Sequence, residues 1–251
     1  MPSLSRRPLF DLLLLLTAAI SLPAHAERVA VAVAANFTAP MQQIAARFEA
    51  DTGHTTVVSY GSTGKLYAQI VNGAPFDVFL SADQDRPRRL HDEAHAESPF
   101  TYAIGRLVLW SPDAALVDAD GDVLRHGSFK RLAIANPKTA PYGYGAIEIL
   151  DALGVTAALR PRLVRGDNIA QTYQFVVTGN AELGFVAASQ LHDQSQGSRW
   201  VPPQKLYAPI RQDSVLLARG RDNPAANALI DYLRGETARR IIRDFGYGTE
   251  D

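Results

Sequence analysis

The chain of 251 residues contains no cysteine, which excludes disulfides, thiol redox chemistry and a lipid anchor attached through cysteine. It also lacks an excess of charge of either sign, because 25 basic and 26 acidic residues leave a formal net charge of −1. Without a basic surplus, nucleic acid is not indicated as a partner. Any anion that binds to this chain must therefore be held by local geometry rather than by bulk charge.

Beyond the N-terminus the chain has no apolar run long enough to cross a bilayer. The first residues are different: Arg6 and Arg7 provide a short positive start, Leu12–Leu16 begins a short apolar run, and Pro23–Ala26 offers a small-residue cleavage site. This pattern predicts a secretory signal peptide over residues 1–26. The mature chain is therefore expected to be exported and soluble.

After the signal, apolar strand patterns alternate with amphipathic helix patterns. The first strand pattern covers residues 28–35, and Thr38 is predicted to cap a helix that places Met41, Ile44 and Phe48 on one face. Alternation of this kind predicts an α/β protein with mostly parallel sheets. Ligands of such sheets bind where strands end and helices begin.

Four segments have this strand-to-helix context and are the candidate ligand loops, at residues 34–38, 61–64, 138–143 and 166–169. Helix N-termini carry unsatisfied N–H groups and a partial positive charge, so they can bind an oxyanion without lysine or arginine. A site made only of donors fits a fully deprotonated dianion, which offers only acceptors. Asp167, the one acidic residue in these loops, could cap the following helix instead.

Enzyme motifs fail at the same loops. The stretch YGSTGKL at 60–66 has only two residues between its glycines, and Leu66 replaces the hydroxyl residue of a Walker A loop. Ser62 is not in a G-x-S-x-G elbow, and no candidate loop contains a histidine that could act as its base. The spacings at 91–95 and 118–122 do not suit zinc or calcium, so a solvated helix face and a polar turn are expected there.

The loops and their surroundings resemble the periplasmic molybdate-binding proteins of ABC importers. The resemblance extends over nearly the whole mature chain, through AANFTAPM, GSTGKLYAQI, NGAPFDVFLSAD, ANPKTAPYG, GDNIAQTYQFVVTGNAELGFVA and RRIIRDFGY. It implies a two-lobed periplasmic binding protein of type II, in which each lobe is a mostly parallel sheet flanked by helices. Lobe 1 is expected at 27–104 plus 213–251 and lobe 2 at 105–212, with hinges in the crossing segments near Tyr102–Leu107 and Ile210–Ser214.

The same resemblance implies the ligand and the partners. Molybdate is the expected ligand and tungstate its competitor, held by hydrogen bonds with no cofactor and no directly coordinated metal. The protein is expected to be a periplasmic monomer without enzyme activity that delivers its ligand to an ABC transporter permease with its ATPase. Two alternatives remain open, a receptor for sulfate or another oxyanion and, from another class, an exported serine hydrolase that uses Ser62.

Carried over position by position, the expected ligand-binding residues are Asn36, Ser62, Thr63, Tyr142 and, through its main-chain N–H, Ile169. The alternative for the two hydroxyl residues is that they only cap the next helix.

One position departs from the family pattern, because some members have a ligand-contacting tyrosine where this chain has Ala187. The hydroxyl of Tyr142 is expected to replace it, as in the branch of the family that carries A-P-Y-G. The resemblance places no cation in the site, so Lys65 is expected in solvent.

Overall fold

A computed structural model describes residues 26–250, so the expected signal peptide, apart from Ala26, lies outside the described residues. Within 26–250 the chain forms ten strands: β1 (Arg28–Ala34), β2 (Thr55–Gly61), β3 (Val78–Leu80), β4 (Phe100–Gly105), β5 (Leu107–Ser111), β6 (Leu132–Ala135), β7 (Leu163–Gly166), β8 (Leu183–Ala187), β9 (Ser198–Trp200) and β10 (Ile210–Leu216). The α-helices of the same range are α1 (Thr38–Thr52), α2 (Thr63–Val71), α3 (Asp85–Asp92), α4 (Val123–His126), α5 (Pro141–Ala152), α6 (Thr156–Leu159), α7 (Ile169–Val177), α8 (Pro224–Arg234) and α9 (Glu236–Asp244).

The strands form two five-stranded sheets, each the centre of one lobe. The first has the order β2-β1-β3-β10-β4 and the second the order β7-β6-β8-β5-β9. In each sheet four strands run in one direction and a single strand runs against them, β10 in the first and β5 in the second. The predicted α/β fold with two lobes is confirmed, although the reversed strand makes half of the ladders antiparallel.

Each sheet has its own apolar core. The predicted helix face of α1 is correct, since Met41, Ile44 and Phe48 are fully buried against the first sheet. In the second lobe, Ile149 of α5 packs in the same core as Phe185 of β8. The chain passes from the first sheet to the second between β4 and β5 and returns between β9 and β10. The two cores meet near the ends of the first sheet's strands, where Ala34, Ala35 and Ala82 join the apolar cluster of the second lobe. The cleft between the lobes lies at this edge.

The predicted capping role of Thr38 is wrong. A 3-10 turn at Ala35–Phe37 runs directly into α1, and the Thr38 hydroxyl donates to the carbonyl of Ala35 instead of capping the helix. The helical segment therefore begins at the end of β1, inside the first candidate loop, and brings its free N–H groups close to the strand end.

None of the helices between residues 26 and 250 has the length and apolar character that a bilayer crossing requires.

Candidate functional site

A small cavity lies between the lobes, where β1 and β2 of the first sheet and β6 and β7 of the second end. All four candidate loops contribute to its wall, and none of the wall residues has a charged side chain. The cavity is small, with a volume of about 10 Å³, far below the 300–1,000 Å³ typical of sites for drug-sized ligands. All five expected ligand-binding residues line it: Asn36, Ser62, Thr63, Tyr142 and Ile169.

Helical N-termini from both lobes converge on this cavity. The first lobe contributes the 3-10 turn that begins at Ala35 and helix α2, which begins at Thr63. The second lobe contributes α5, which begins at Pro141, and α7, which begins at Ile169. The first N–H groups of a helix have no intrahelical acceptor and carry partial positive charge. An uncharged wall of this kind favours an anion of small size.

Ser62 provides the most direct sign that the cavity takes an acceptor. Its side chain is 3% exposed, and its Oγ has no hydrogen-bond partner among residues 26–250. Ser62 occupies the N-cap position of α2, but its side chain makes no capping bond, so the interpretation as a simple cap is wrong. A buried polar group without a partner costs about 1–3 kcal/mol. An acceptor in the cavity would remove that cost.

The hydroxyl of Thr63 already acts as a hydrogen-bond acceptor. Its Oγ1 accepts a hydrogen bond of 3.0 Å from the main-chain N–H of Ala82, and both residues line the cavity. The accepting role holds the hydroxyl in place and leaves its proton for an acceptor. Thr63 therefore does not act as a cap either.

The side-chain amide of Asn36 is already hydrogen-bonded, which leaves its main-chain N–H as the donor available to a ligand in the cavity. Its Nδ2 donates to Gln212 Oε1 at 2.8 Å and to the Tyr247 hydroxyl at 3.0 Å, so the amide protons are taken up in a buried network. The residue lies in the 3-10 turn that precedes α1, where main-chain N–H groups are free. The sequence predicted Asn36 as a donor but contained no signal for which of its atoms would donate.

Tyr142 lies in the wall with only 2% of its surface exposed, whereas Ala187 is fully buried outside it. The Tyr142 hydroxyl accepts from Gln212 Nε2 at 3.2 Å. Burial raises the pKa of this hydroxyl well above its usual 10.0, and the Tyr247 and Tyr102 hydroxyls raise it further. Tyr142 is therefore neutral at ordinary pH. Because the amide nitrogen of Gln212 can only donate hydrogen bonds, the Tyr142 O–H group does not donate to it.

Ile169 has a core side chain, as expected, and its main-chain N–H lies at the start of a helix. Its side chain is buried in the core of the second lobe, and the residue is the first of α7. The N-cap of α7 is Asn168, whose Oδ1 accepts from the Gln171 N–H at 3.0 Å. The suggested cap role of Asp167 is wrong, because its carboxylate points outward and pairs with Lys65.

The lobes contact each other beside the cavity. The main-chain N–H of Gly64 donates to the carbonyl of Thr139 at 2.9 Å, which joins the second candidate loop to the third. Lys65 Nζ lies 2.8 Å from Asp167 Oδ2, with side chains that are 52% and 63% exposed. Lys65 thus lies outside the wall with its side chain partly in solvent, as expected. Both contacts hold the lobes close over the cavity.

The site contains no base for a nucleophilic serine. None of the wall residues is histidine, aspartate or glutamate, and Ser62 Oγ has no partner among the described residues.

The aspartates at 118–122 form a turn in which Asp118 accepts main-chain N–H bonds from Asp120, Asp122 and Val123. Within residues 26–250 no group of three or more acidic, histidine or cysteine side chains is arranged to hold a metal ion.

Replacing Lys65 should have a small effect on anion binding. An exposed ion pair such as Lys65–Asp167 contributes about 0–1 kcal/mol and is screened by salt. We expect Lys65→Met to weaken binding by no more than about fivefold. The difference should disappear near 1 M salt, where the Debye length is only about 3 Å and the charge of Lys65 is screened. Calorimetric titrations at two salt concentrations would measure this. A loss of a hundredfold or more would mean that a cation acts in the site.

Binding should not depend on pH in the neutral range, since no wall residue titrates there. Burial raises the pKa of Tyr247 to about 12 and shifts the pKa of Tyr142 and Tyr102 well upward. A tyrosine whose pKa is raised by folding makes its full contribution to the stability of the folded state below the ordinary pKa of 10.0. This contribution is lost as the pH rises through the higher pKa of the folded state. We expect constant affinity from about pH 6 to about pH 10, with a decline only as the pH approaches the raised tyrosine pKa of about 12. A midpoint near neutrality would point to histidine in the site.

Comparisons with known proteins agree with this geometry. The family described as bacterial extracellular solute-binding protein matches residues 29–248. The chain is 56% identical over 232 residues to the molybdate-binding protein ModA of Azotobacter vinelandii, with 90% of this chain and 92% of that protein covered. It is 51% identical over 239 residues to ModA of Rhodobacter capsulatus, with 94% of each covered.

Solved structures give the same result at the level of the fold. The periplasmic molybdate-binding protein of Azotobacter vinelandii superposes with a TM-score of 0.86 at 39% identity, covering 89% of this chain and 100% of that one. The sulfate-binding protein SubI of Mycobacterium tuberculosis superposes with a TM-score of 0.71 at 13% identity, covering 89% of this chain and 86% of that one. At the second identity the likeness concerns the fold alone.

Proposed function

The chain belongs to the bacterial extracellular solute-binding protein family, and from this premise we propose that it captures molybdate in the periplasm and delivers it to an ABC transporter. The observation that carries the proposal is the buried, unpartnered hydroxyl of Ser62 in an uncharged cavity where helical N-termini from both lobes meet. Relatives named as molybdate-binding proteins at 56% and 51% identity support the choice of anion.

The proposed hydrogen bonds can account for the free energy of binding expected for such a complex. Asn36, Ser62, Thr63, Tyr142 and Ile169 would each direct an N–H or O–H group at the oxyanion. Hydrogen bonds to a charged partner contribute about 1.5–3 kcal/mol each, so five of them give about 8–15 kcal/mol. A micromolar to nanomolar complex needs about 8–12 kcal/mol. The remainder offsets the ordering of the lobes and the desolvation of the anion.

Selectivity is proposed to follow from size. Tungstate has the charge and tetrahedral shape of molybdate and is expected to compete for the same donors. Sulfate is smaller, so a rigid shell of donors that contacts molybdate on all sides would leave longer, weaker hydrogen bonds to it. The contact between the Gly64 N–H and the Thr139 carbonyl supports such a shell, because it fixes how closely the lobes approach.

The lobes are proposed to be 27–104 with 213–251, and 105–212, closing by a hinge at the two crossings. Strand β10 of the first sheet already begins at Ile210, so the second crossing would end within the first residues of that strand. We further propose a monomer that works without a cofactor and without enzyme activity. Its partners would be a permease and the ATPase attached to it, with no role for nucleic acid.

Isothermal titration of the mature chain against molybdate, tungstate, sulfate and phosphate tests the proposal. We expect molybdate and tungstate to bind at micromolar or better affinity and sulfate at least about a hundredfold more weakly, a difference of about 2.8 kcal/mol. Equal or tighter binding of sulfate would favour the receptor for another oxyanion. Covalent labelling of Ser62 by a serine-directed probe would instead favour the hydrolase.

Tyr142→Phe tests whether this hydroxyl replaces the tyrosine that is absent at Ala187. Loss of a hydrogen bond to a charged ligand costs about 1.5–3 kcal/mol, so molybdate affinity should decrease by about 10- to 150-fold. Titration calorimetry measures the change, and the melting temperature of the ligand-free variant serves as the folding control. Affinity equal to that of the parent protein would show that the main chain of Tyr142 alone contributes.

A further inference from the structure

We propose that Gln212 is a positioning residue that connects the ligand loops of the two lobes when they close over the anion. The inference rests on the proposed function, because it concerns how the same cavity is assembled. Gln212 does not line the cavity and would act through residues that do.

The place of Gln212 in the fold gives it access to both lobes. It is fully buried on β10, the strand that follows the second crossing, at a point where the register with β4 shifts between Gln212 and Asp213. Such a register shift, or β-bulge, changes the direction in which a side chain points compared with a regular ladder. The side chain here reaches toward the other crossing, where β4 ends at Gly105.

The two ends of the Gln212 amide hold residues of different lobes. Its Oε1 accepts from Asn36 Nδ2 at 2.8 Å and from the Tyr102 hydroxyl at 3.2 Å, both in the first lobe. Its Nε2 donates to the hydroxyl of Tyr142 at 3.2 Å, which belongs to helix α5 of the second lobe. One side chain thus spans the ligand loops of both lobes, and separating the lobes must break the bond to Tyr142.

The chemistry of the network requires a group that both donates and accepts. Asn36 Nδ2 is a donor and needs the carbonyl end of Gln212, while the amino end directs its proton at Tyr142. With its oxygen occupied as an acceptor, Tyr142 still has its own proton to donate. In a buried setting such bonds reinforce one another, and each orphaned member is costly.

Asn36 is held from both lobes by further bonds. Its main-chain carbonyl accepts from the Tyr247 hydroxyl at 2.7 Å and from Ser189 Oγ of the second lobe at 2.9 Å. The amide of Gln212 therefore completes a set of bonds that fixes the position of Asn36 relative to Tyr142. Without it, Asn36 would keep its bond to Ser189 and a long contact of 3.5 Å to the Tyr142 hydroxyl, but the shorter bonds that run through Gln212 from Asn36 to Tyr142 would be lost.

Gln212→Met tests the proposal, because methionine has a similar shape and no amide. We expect molybdate affinity to fall by at least about tenfold, with the loss mainly in a faster dissociation rate. Gln84→Met is the matched control, since Gln84 hydrogen-bonds Thr101 and Asp213 near the same strand but does not touch either ligand loop. That variant should bind within about threefold of the parent protein.

A double-mutant cycle distinguishes positioning from a general structural role. If Gln212 acts through Tyr142, Gln212→Met combined with Tyr142→Phe should bind no more than about threefold more weakly than the weaker single variant. Fully additive losses, or unchanged binding in Gln212→Met, would overturn the proposal. Absence of molybdate binding by the parent protein in the same titrations would instead overturn the proposed function.

A measurement on the parent protein covers the case in which Gln212→Met does not fold. The side-chain amide protons of Gln212, assigned by NMR, should exchange with solvent at least about tenfold more slowly with molybdate than without it, because closure completes their bond to Tyr142. Equal exchange rates in both states, with molybdate bound, would contradict the proposal.

Discussion

The Ser62→Asp variant is expected to show no molybdate binding in calorimetry, although its ligand-free form should melt at or above the temperature of the parent protein. The carboxylate would lie at the N-terminus of α2, close to the other helix N-termini, and their partial positive charge favours an anion, so folding should not suffer. In the cavity, however, the carboxylate would face a dianion. Two like unit charges 4 Å apart repel by about 4 kcal/mol at an effective dielectric constant of 20, and a dianion doubles this to about 8 kcal/mol.

Two further variants define what the Ser62→Asp result means. Ser62→Ala removes only the hydroxyl and should weaken binding by about 10- to 150-fold. Ser59→Asp adds the same charge at an exposed position of β2, where solvent screens it, and should change affinity by less than about threefold. Molybdate binding by Ser62→Asp within tenfold of the parent protein would place the anion elsewhere.

Gly105→Ala is expected to weaken molybdate binding by at least about a hundredfold, a difference of about 2.8 kcal/mol. A Cβ at Gly105 would lie 2.0 Å from the Tyr142 hydroxyl and 2.7 Å from Gln212 Nε2. Both distances are far below van der Waals contact, and the buried ring of Tyr142 has little room to move. Displacing it would shift the start of α5 and with it the donors of the third ligand loop.

Gly248→Ala is the control for the Gly105 variant. It pairs with Ile104 of the same strand, where an added Cβ would lie 3.3 Å from the Ile104 Cβ and would not approach Tyr142. Affinity in this variant should stay within about threefold of the parent protein. Circular dichroism and melting curves of both ligand-free variants show whether each one folds. If Gly105→Ala bound molybdate as tightly as Gly248→Ala, the close contact with Tyr142 would not matter for closure.

The wall of the cavity could be predicted from sequence because its residues are local to recognisable boundaries. Each ligand loop follows an apolar strand and precedes an amphipathic helix, and strand ends of one sheet lie at the same edge. The five residues expected in the site do line one cavity. That they bind the anion stays a prediction for the variants described above.

The network behind the wall could not be predicted in the same way. Tyr102, Gln212 and Tyr247 are single residues far apart in the chain, and no spacing or periodicity connects them. Their contact with Asn36 and Tyr142 depends on how the two crossings and the C-terminal segment pack. Residues of this kind become visible only when the tertiary structure is known.

The crossing itself shows why local patterns were insufficient. Strand β5 belongs to the second sheet, but the strand just before it, β4 (Phe100–Gly105), belongs to the first. The two strands are separated by Arg106 alone, so the sequence contains no turn signal between them. Likewise Asp167 and Asn168 are both good cap residues, and only the observed contacts assign the cap to Asn168.

The most direct test of the central claim is a crystal structure of the mature chain with tungstate, located by its anomalous scattering. We expect one tungsten peak in the cavity, with oxygens about 2.7–3.1 Å from Ser62 Oγ and from main-chain nitrogens of both lobes, and with no lysine or arginine in contact. A peak at a cluster of basic side chains, or an empty cavity in protein that is saturated with tungstate, would contradict the claim that uncharged donors capture the dianion.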